Sequence, residues 1–115
     1  MDNPFKKISI IGLGLIGGSI GLATRRYDKK IHIQGFAKNQ STLDVATSRG
    51  FVDESFLNLR QIDSDTDLVI LASPLSTFKN IVEEILPFLK DDCVITDTGS
   101  AKCRVIDEIE SIIPD

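Results

Sequence analysis

A chain of 115 residues is long enough to bury one core but short of a two-domain enzyme. Hydrophobic residues at 42% and charged residues at 26%, with no low-complexity run, are the composition of an ordinary soluble domain. A net charge of -4 argues against nucleic acid or an anionic membrane as its main partner.

The start of the chain imitates a secretory signal, since Lys6-Lys7 precede the apolar run ISIIGLGLIGGSIGLA. The five glycines of that run weaken such a helix, and Arg25-Arg26 stand where small residues should precede cleavage. The run is also too short and too glycine-rich to span a bilayer comfortably. The expected location is therefore the cytoplasm, where the Asn39-Gln40-Ser41 sequon is idle.

Ile8 to Ile11 is a short apolar run between Lys7 and Gly12, suited to a strand buried on both faces. Ile16 to Arg26 carries Ile16, Ile20 and Ala23 at helical spacing, and Ile31 to Phe36 alternates apolar and polar residues as a strand does. Ser41-Thr42-Leu43-Asp44 has the form of a capping box opening a helix that runs to Arg49 and stops at Gly50. Between residues 51 and 66 the pattern is weaker; Phe56, Leu57 and Leu59 fit a short helix.

Asp67 to Ala72 is again a buried strand, closed by Ser73-Pro74. Thr77 to Leu86 places Phe78, Ile81, Val82, Ile85 and Leu86 on one helical face, and Pro87 ends or kinks that helix. Cys93 to Thr96 is a fourth strand, followed by Asp97-Thr98-Gly99-Ser100 and a last helix with Val105, Ile106, Ile109 and Ile113 inward. Four strands alternating with helices predict an α/β domain with a doubly wound parallel sheet and right-handed crossovers.

Gly12-Leu13-Gly14-Leu15-Ile16-Gly17 is G-x-G-x-x-G, between a predicted strand and a predicted helix. Gly12 permits the tight turn, Gly14 lets backbone approach a pyrophosphate, and Gly17 lets the helix pack close to the strand. This predicts a Rossmann-type dinucleotide-binding domain. The bland alternative is a tight turn with no ligand. Gly17-Gly18-Ser19-Ile20-Gly21 also satisfies G-x-S-x-G, but Ser19 falls inside the helix rather than on its entry turn. The lone His32 lies on the next strand, where it suits a partly exposed structural residue. A triphosphatase loop needs Lys after its last Gly, and Gly18 stands there.

An acid at the end of the second strand would bond the ribose hydroxyls of NAD and repel a 2′-phosphate. Here Ala37 removes that repulsion, while Lys38, Asn39, Ser41 and Thr42 supply an ammonium and donors beside a helix N-terminus. The group predicts NADP in preference to NAD. Alternatively Lys38 is a solvated loop lysine and either cofactor is tolerated. Cys93 and Cys103, ten positions apart with no CxxC, fit buried thiols in a reducing compartment rather than zinc or a disulfide, and no metal site is expected.

The chain resembles the prephenate and arogenate dehydrogenases of tyrosine biosynthesis, through IIGLGLIGGSIGLA, GFVDE at 50 to 54, DLVILASPL at 67 to 75 and VITDTGSAK at 94 to 102. Members oxidise prephenate or arogenate at the ring hydroxyl, passing hydride to NAD(P)+ with loss of CO2. The resemblance implies that Gly12, Gly14 and Gly17 hold the pyrophosphate, and that Ser73, Pro74 and Leu75 line the ribose and nicotinamide side. It also places Thr98 and Gly99 beside the cofactor and makes Ser100 a catalytic residue near the nicotinamide. Ser100 equally suits a helix N-cap, and Lys102 is either an electrostatic aid or a surface lysine.

The family's catalytic His and its helical substrate and dimerisation domain follow a segment that this chain, ending at Asp115, does not reach. The expectation is thus the cofactor half of a homodimeric enzyme, a fragment or truncated product that binds NADP but scarcely turns over. Two alternatives remain: the cofactor domain of another NADP-dependent dehydrogenase, or a stand-alone nucleotide-binding module.

Overall fold

The computed structural model describes residues 5–13 and 15–97. Among them, five parallel strands form one sheet: β1 (Lys7–Ile11), β2 (His32–Phe36), β3 (Glu54–Phe56), β4 (Leu68–Leu71) and β5 (Val94–Asp97). Their order is β3-β2-β1-β4-β5, so the winding reverses between β1 and β4. Helices α1 (Leu15–Tyr27), α2 (Gln40–Ser48) and α3 (Phe78–Ile85) supply the crossovers.

Alternation along the central strands divides the core in two. Ile8 and Ile10 of β1 and Leu68 and Ile70 of β4 pack with Ile20 of α1 and with Leu43 and Ala46 of α2. Ile11, Val69 and Leu71 face the other way, onto Ile85, Phe78, Ile81 and Val82 of α3. Each fully buried Ile, Leu or Val among them contributes roughly 1.5–3 kcal/mol relative to exposure. The doubly wound prediction holds.

Two details depart from the sequence reading. β3 is a strand where a short helix was expected; it pairs with β2, Phe56 meets Phe36 with ring centroids 5.6 Å apart, and only Leu59–Gln61 makes a single 3-10 turn. Leu86 is exposed rather than inward, because α3 ends at Ile85 and Pro87 sits in a 3-10 turn over Leu86–Phe88. Gln34, a polar position in the alternation of β2, is buried. Its Oε1 accepts from the Ser9 hydroxyl at 3.3 Å and from the Asp63 N–H at 3.0 Å, which satisfies it inside the sheet.

The amino ends of the strands are tied by acids. Asp67 Oδ2 accepts the N–H groups of Lys6 and Lys7 at 2.8 and 3.0 Å, and its other oxygen pairs with Lys90. Asp53 accepts the Ile33 N–H at 2.8 Å and the Arg25 guanidinium at 2.7 Å. No described helix is long and apolar enough to cross a membrane.

Candidate functional site

The glycine turn is built by close backbone approach. Gly12 has φ +99°, a region that L side chains avoid, and a Cβ there would lie 2.7 Å from the Ser73 nitrogen. A Cβ on Gly17 would lie 2.2 Å from the Gly12 carbonyl oxygen, so α1 can begin against the turn only with glycine at that position. The N–H groups of Gly12 and Leu13 both donate to the Phe36 carbonyl, at 2.8 and 3.2 Å, locking the turn to the end of β2. The Leu13 side chain is buried in the core. Gly14 and the side chains of Leu15 and Ile16 lie outside the described residues, although Leu15 and Ile16 form the first turn of α1.

A cleft of about 300 Å³ opens at the carboxyl ends of β1, β2 and β4, where the strand order reverses. Its walls include Gly12, Ala37, Lys38, Ser73, Thr77 and Asn80. Ligands of doubly wound sheets lie in such a crevice. A larger cavity of about 540 Å³ lies between α1 and α2, away from the strand ends, and is lined by Leu22, Val45 and Phe51 together with Ser41, Thr42 and Arg49.

Ala37 follows β2 directly, half-buried, with its N–H donated to the Phe56 carbonyl at 3.3 Å. Lys38 is exposed at the rim, and no described carboxylate pairs with it. The cap of α2 corrects the expected capping box. Asn39, not Ser41, is the N-cap: its Oδ1 accepts from the Thr42 N–H at 3.0 Å, the Thr42 hydroxyl at 2.6 Å and the Ser41 hydroxyl at 3.0 Å. Asp44 does not reach back to the cap; it accepts from Gln40 Nε2 at 2.9 Å. The two hydroxyl protons are thus turned toward Asn39, and serving an anion requires them to rotate.

Beyond β4, Ser73 lines the cleft and Leu75 is 77% exposed. The hydroxyls of Ser73 and Thr77 lie 2.8 Å apart, and Thr77 donates to the Pro74 carbonyl at 2.6 Å. Thr77, Asn80 and Glu84 line the cleft without having been singled out in the sequence. Glu84 also faces Arg60, with 3.9 Å between Oε1 and Nε.

Residues 20–115 match the family described as "Prephenate dehydrogenase, nucleotide-binding domain". The chain belongs to this family. It is 34% identical over 110 residues to a cyclohexadienyl dehydrogenase of Zymomonas mobilis, covering 96% of this chain and 38% of that protein. A prephenate dehydrogenase of Lactococcus lactis is 38% identical over 103 residues, 89% of this chain and 28% of that protein. Among solved structures, the prephenate dehydrogenase of A. aeolicus in complex with hydroxyphenyl propionate and NAD+ superposes with a TM-score of 0.79 at 30% identity, covering 93% of this chain and 38% of that one. The chain therefore spans well under half the length of these relatives.

Within this prephenate dehydrogenase domain, two family-like stretches carry the acids that clamp strand ends: Asp53 in GFVDE and Asp67 in DLVILASPL. The segment expected to carry Thr98, Gly99, Ser100 and Lys102 lies outside the described residues, which stop at Asp97 on β5. Ser19 is within α1, as expected for the rejected nucleophile motif. His32 is half-buried on β2 at the opposite end of the sheet from the cleft, 2.6 Å from Glu54 Oε1. Cys93 is a half-buried free thiol whose pKa is pushed up by burial. No group of three or more metal-ligating side chains occurs among the described residues.

Proposed function

We propose that this chain is the cofactor-binding part of a cytoplasmic prephenate or arogenate dehydrogenase and that it prefers NADP+ to NAD+. The observation that carries the reading is the cleft at the reversal of the strand order, bounded by the glycine turn, Ala37-Lys38 and Ser73. A Cβ on Gly12 or Gly17 is excluded by the chain's own backbone, which keeps the turn tight and α1 close against it. The N-terminus of α1 that they open favours a pyrophosphate, held by Gly12, Gly14 and Gly17 with Leu13, Leu15 and Ile16 completing the turn.

When bound, the nicotinamide ring would accept hydride from a ring carbinol as CO2 leaves. The family membership and the A. aeolicus complex with NAD+ support that assignment. In this reading Ser73, Pro74, Leu75, Thr98 and Gly99 flank the ribose and nicotinamide, and Ser100 bonds the substrate hydroxyl. The substrate pocket and the dimer contacts belong to a further helical domain of the full enzyme.

The preference for NADP+ rests on charge. The position after β2 is Ala37, without a carboxylate to repel a 2′-phosphate, and Lys38 stands unpaired among the described residues beside Asn39 and Ser41. A charge-assisted contact of this kind discriminates by about tenfold or more. Calorimetric titration of the chain with NADP+ and with NAD+, repeated on Lys38→Ala, tests it. NADP+ should bind more tightly, and the substitution should cost about tenfold for NADP+ while leaving NAD+ unchanged. Equal affinities that the substitution does not alter would make Lys38 a bystander.

A further inference from the structure

The hydroxyls beside the cleft hold a proton order that the sequence does not reveal. Thr77 Oγ1 lies 2.6 Å from the Pro74 carbonyl oxygen and 2.8 Å from Ser73 Oγ. A carbonyl oxygen only accepts, so the single hydroxyl proton of Thr77 goes to Pro74. The reverse choice would press two oxygen lone pairs together at 2.6 Å. With that proton committed, the contact between Thr77 and Ser73 is made by the Ser73 proton. The chain of donation runs from Ser73 to Thr77 to Pro74.

Helix capping does not account for Thr77. It precedes α3, yet its side chain makes no capping hydrogen bond there. Its N–H also goes to the Pro74 carbonyl, at 2.9 Å, so backbone and side chain together fix the hydroxyl. Ser73, half-buried in the cleft wall, is left with lone pairs and no free proton, and polarisation along the chain strengthens it as an acceptor. The ligand part opposite Ser73 adjoins the pyrophosphate turn, because the Ser73 nitrogen lies 2.7 Å from where a Gly12 Cβ would stand. In a dinucleotide the groups adjoining the pyrophosphate are the riboses.

We propose that Thr77 is a positioning residue that fixes Ser73 as a hydrogen-bond acceptor for a ribose hydroxyl of the bound dinucleotide, and against a phosphate oxygen. The inference rests on the cofactor reading above. Calorimetric titration of the 115-residue chain with NADP+ tests it, using Ser73→Ala, Thr77→Val, Thr77→Ser and the double variant Ser73→Ala/Thr77→Val. Ser73→Ala should weaken binding by about fivefold, the loss of one neutral hydrogen bond. Thr77→Val should weaken it by about threefold, Thr77→Ser should restore it, and the double variant should bind no more weakly than Ser73→Ala alone.

If circular dichroism shows Thr77→Val unfolded, Thr77→Ala removes the same hydroxyl and takes its place. A folded variant that lacks the hydroxyl but binds like wild type, or losses that simply add in the double variant, overturns the positioning role while leaving the cofactor reading intact. Failure of the wild-type chain to bind NADP+ overturns both, and no substitution is then needed to tell the two failures apart.

Discussion

Gly35, in the middle of β2, marks how tightly the turn is seated on the sheet. A Cβ there would lie 2.4 Å from Leu13 Cδ1 and 2.8 Å from Val52 Cγ1. Gly35→Ala should therefore cost about 1 to 3 kcal/mol through overpacking, and Leu13→Ala in the same chain should recover part of that loss. Urea denaturation of the two single variants and the double one measures it; additive losses would show that Leu13 does not set the constraint. Gly12 and Gly17 were readable from spacing because turn chemistry is local. Thr77, Asn80 and Glu84 were not, because polar positions just before α3 and on it look like any solvated helix face until the fold brings them to the cleft.

At the level of elements, the end of α2 obeys its sequence more closely than its beginning. The Gly50 and Phe51 N–H groups donate to the Thr47 and Ala46 carbonyls at 3.1 and 2.9 Å, a Schellman ending with Gly50 at φ +73°. No atom lies within 4 Å of a Cβ built on Gly50, so Gly50→Ala meets backbone strain alone. It should cost about 1 kcal/mol, seen as a lower thermal midpoint. A neutral or stabilising result would deny that the left-handed residue is needed. The start of α2 moved from Ser41 to Asn39 because both residues are good caps, and local sequence does not decide between them. β3 escaped notice for another reason: three residues are too few to display a period, and only pairing with β2 makes them a strand. The long apolar runs of β1 and β4 carried their own signal.

Across the whole molecule, the acids at the amino ends of the strands set the response to pH. Burial pushes the Asp67 carboxyl up, but Lys90 and the Lys6 and Lys7 N–H groups outweigh it and hold the pKa below the ordinary range. Asp53 likewise overcomes burial through Arg25 and the Ile33 N–H, and Asp63 is lowered by Lys7 and the Asp65 N–H. Since these groups bind protons less readily folded than unfolded, their contribution is complete above about pH 4 to 5 and is lost as pH falls through the folded values. Lys7, raised chiefly by Asp63, behaves oppositely: its contribution holds below about pH 10 and is lost above. Urea midpoints should thus be level from about pH 5 to 9 and fall below 4. Asp67→Asn should lower stability by about 1 to 2 kcal/mol at pH 7 and flatten the acid limb. An unchanged acid limb would remove Asp67 from the account.

The same strands that carry these clamps at one end open the cleft at the other. β1 begins with Lys7, held by Asp63 and Asp67, and leads into Gly12; β4 follows directly on Asp67 and leads into Ser73. Durability and recognition are in this way assigned to opposite poles of the sheet, separated by a layer of buried Ile, Val and Leu. A lineage of this domain can retune its tolerance of heat or acid at the clamped pole while the choice of nucleotide at the other drifts independently.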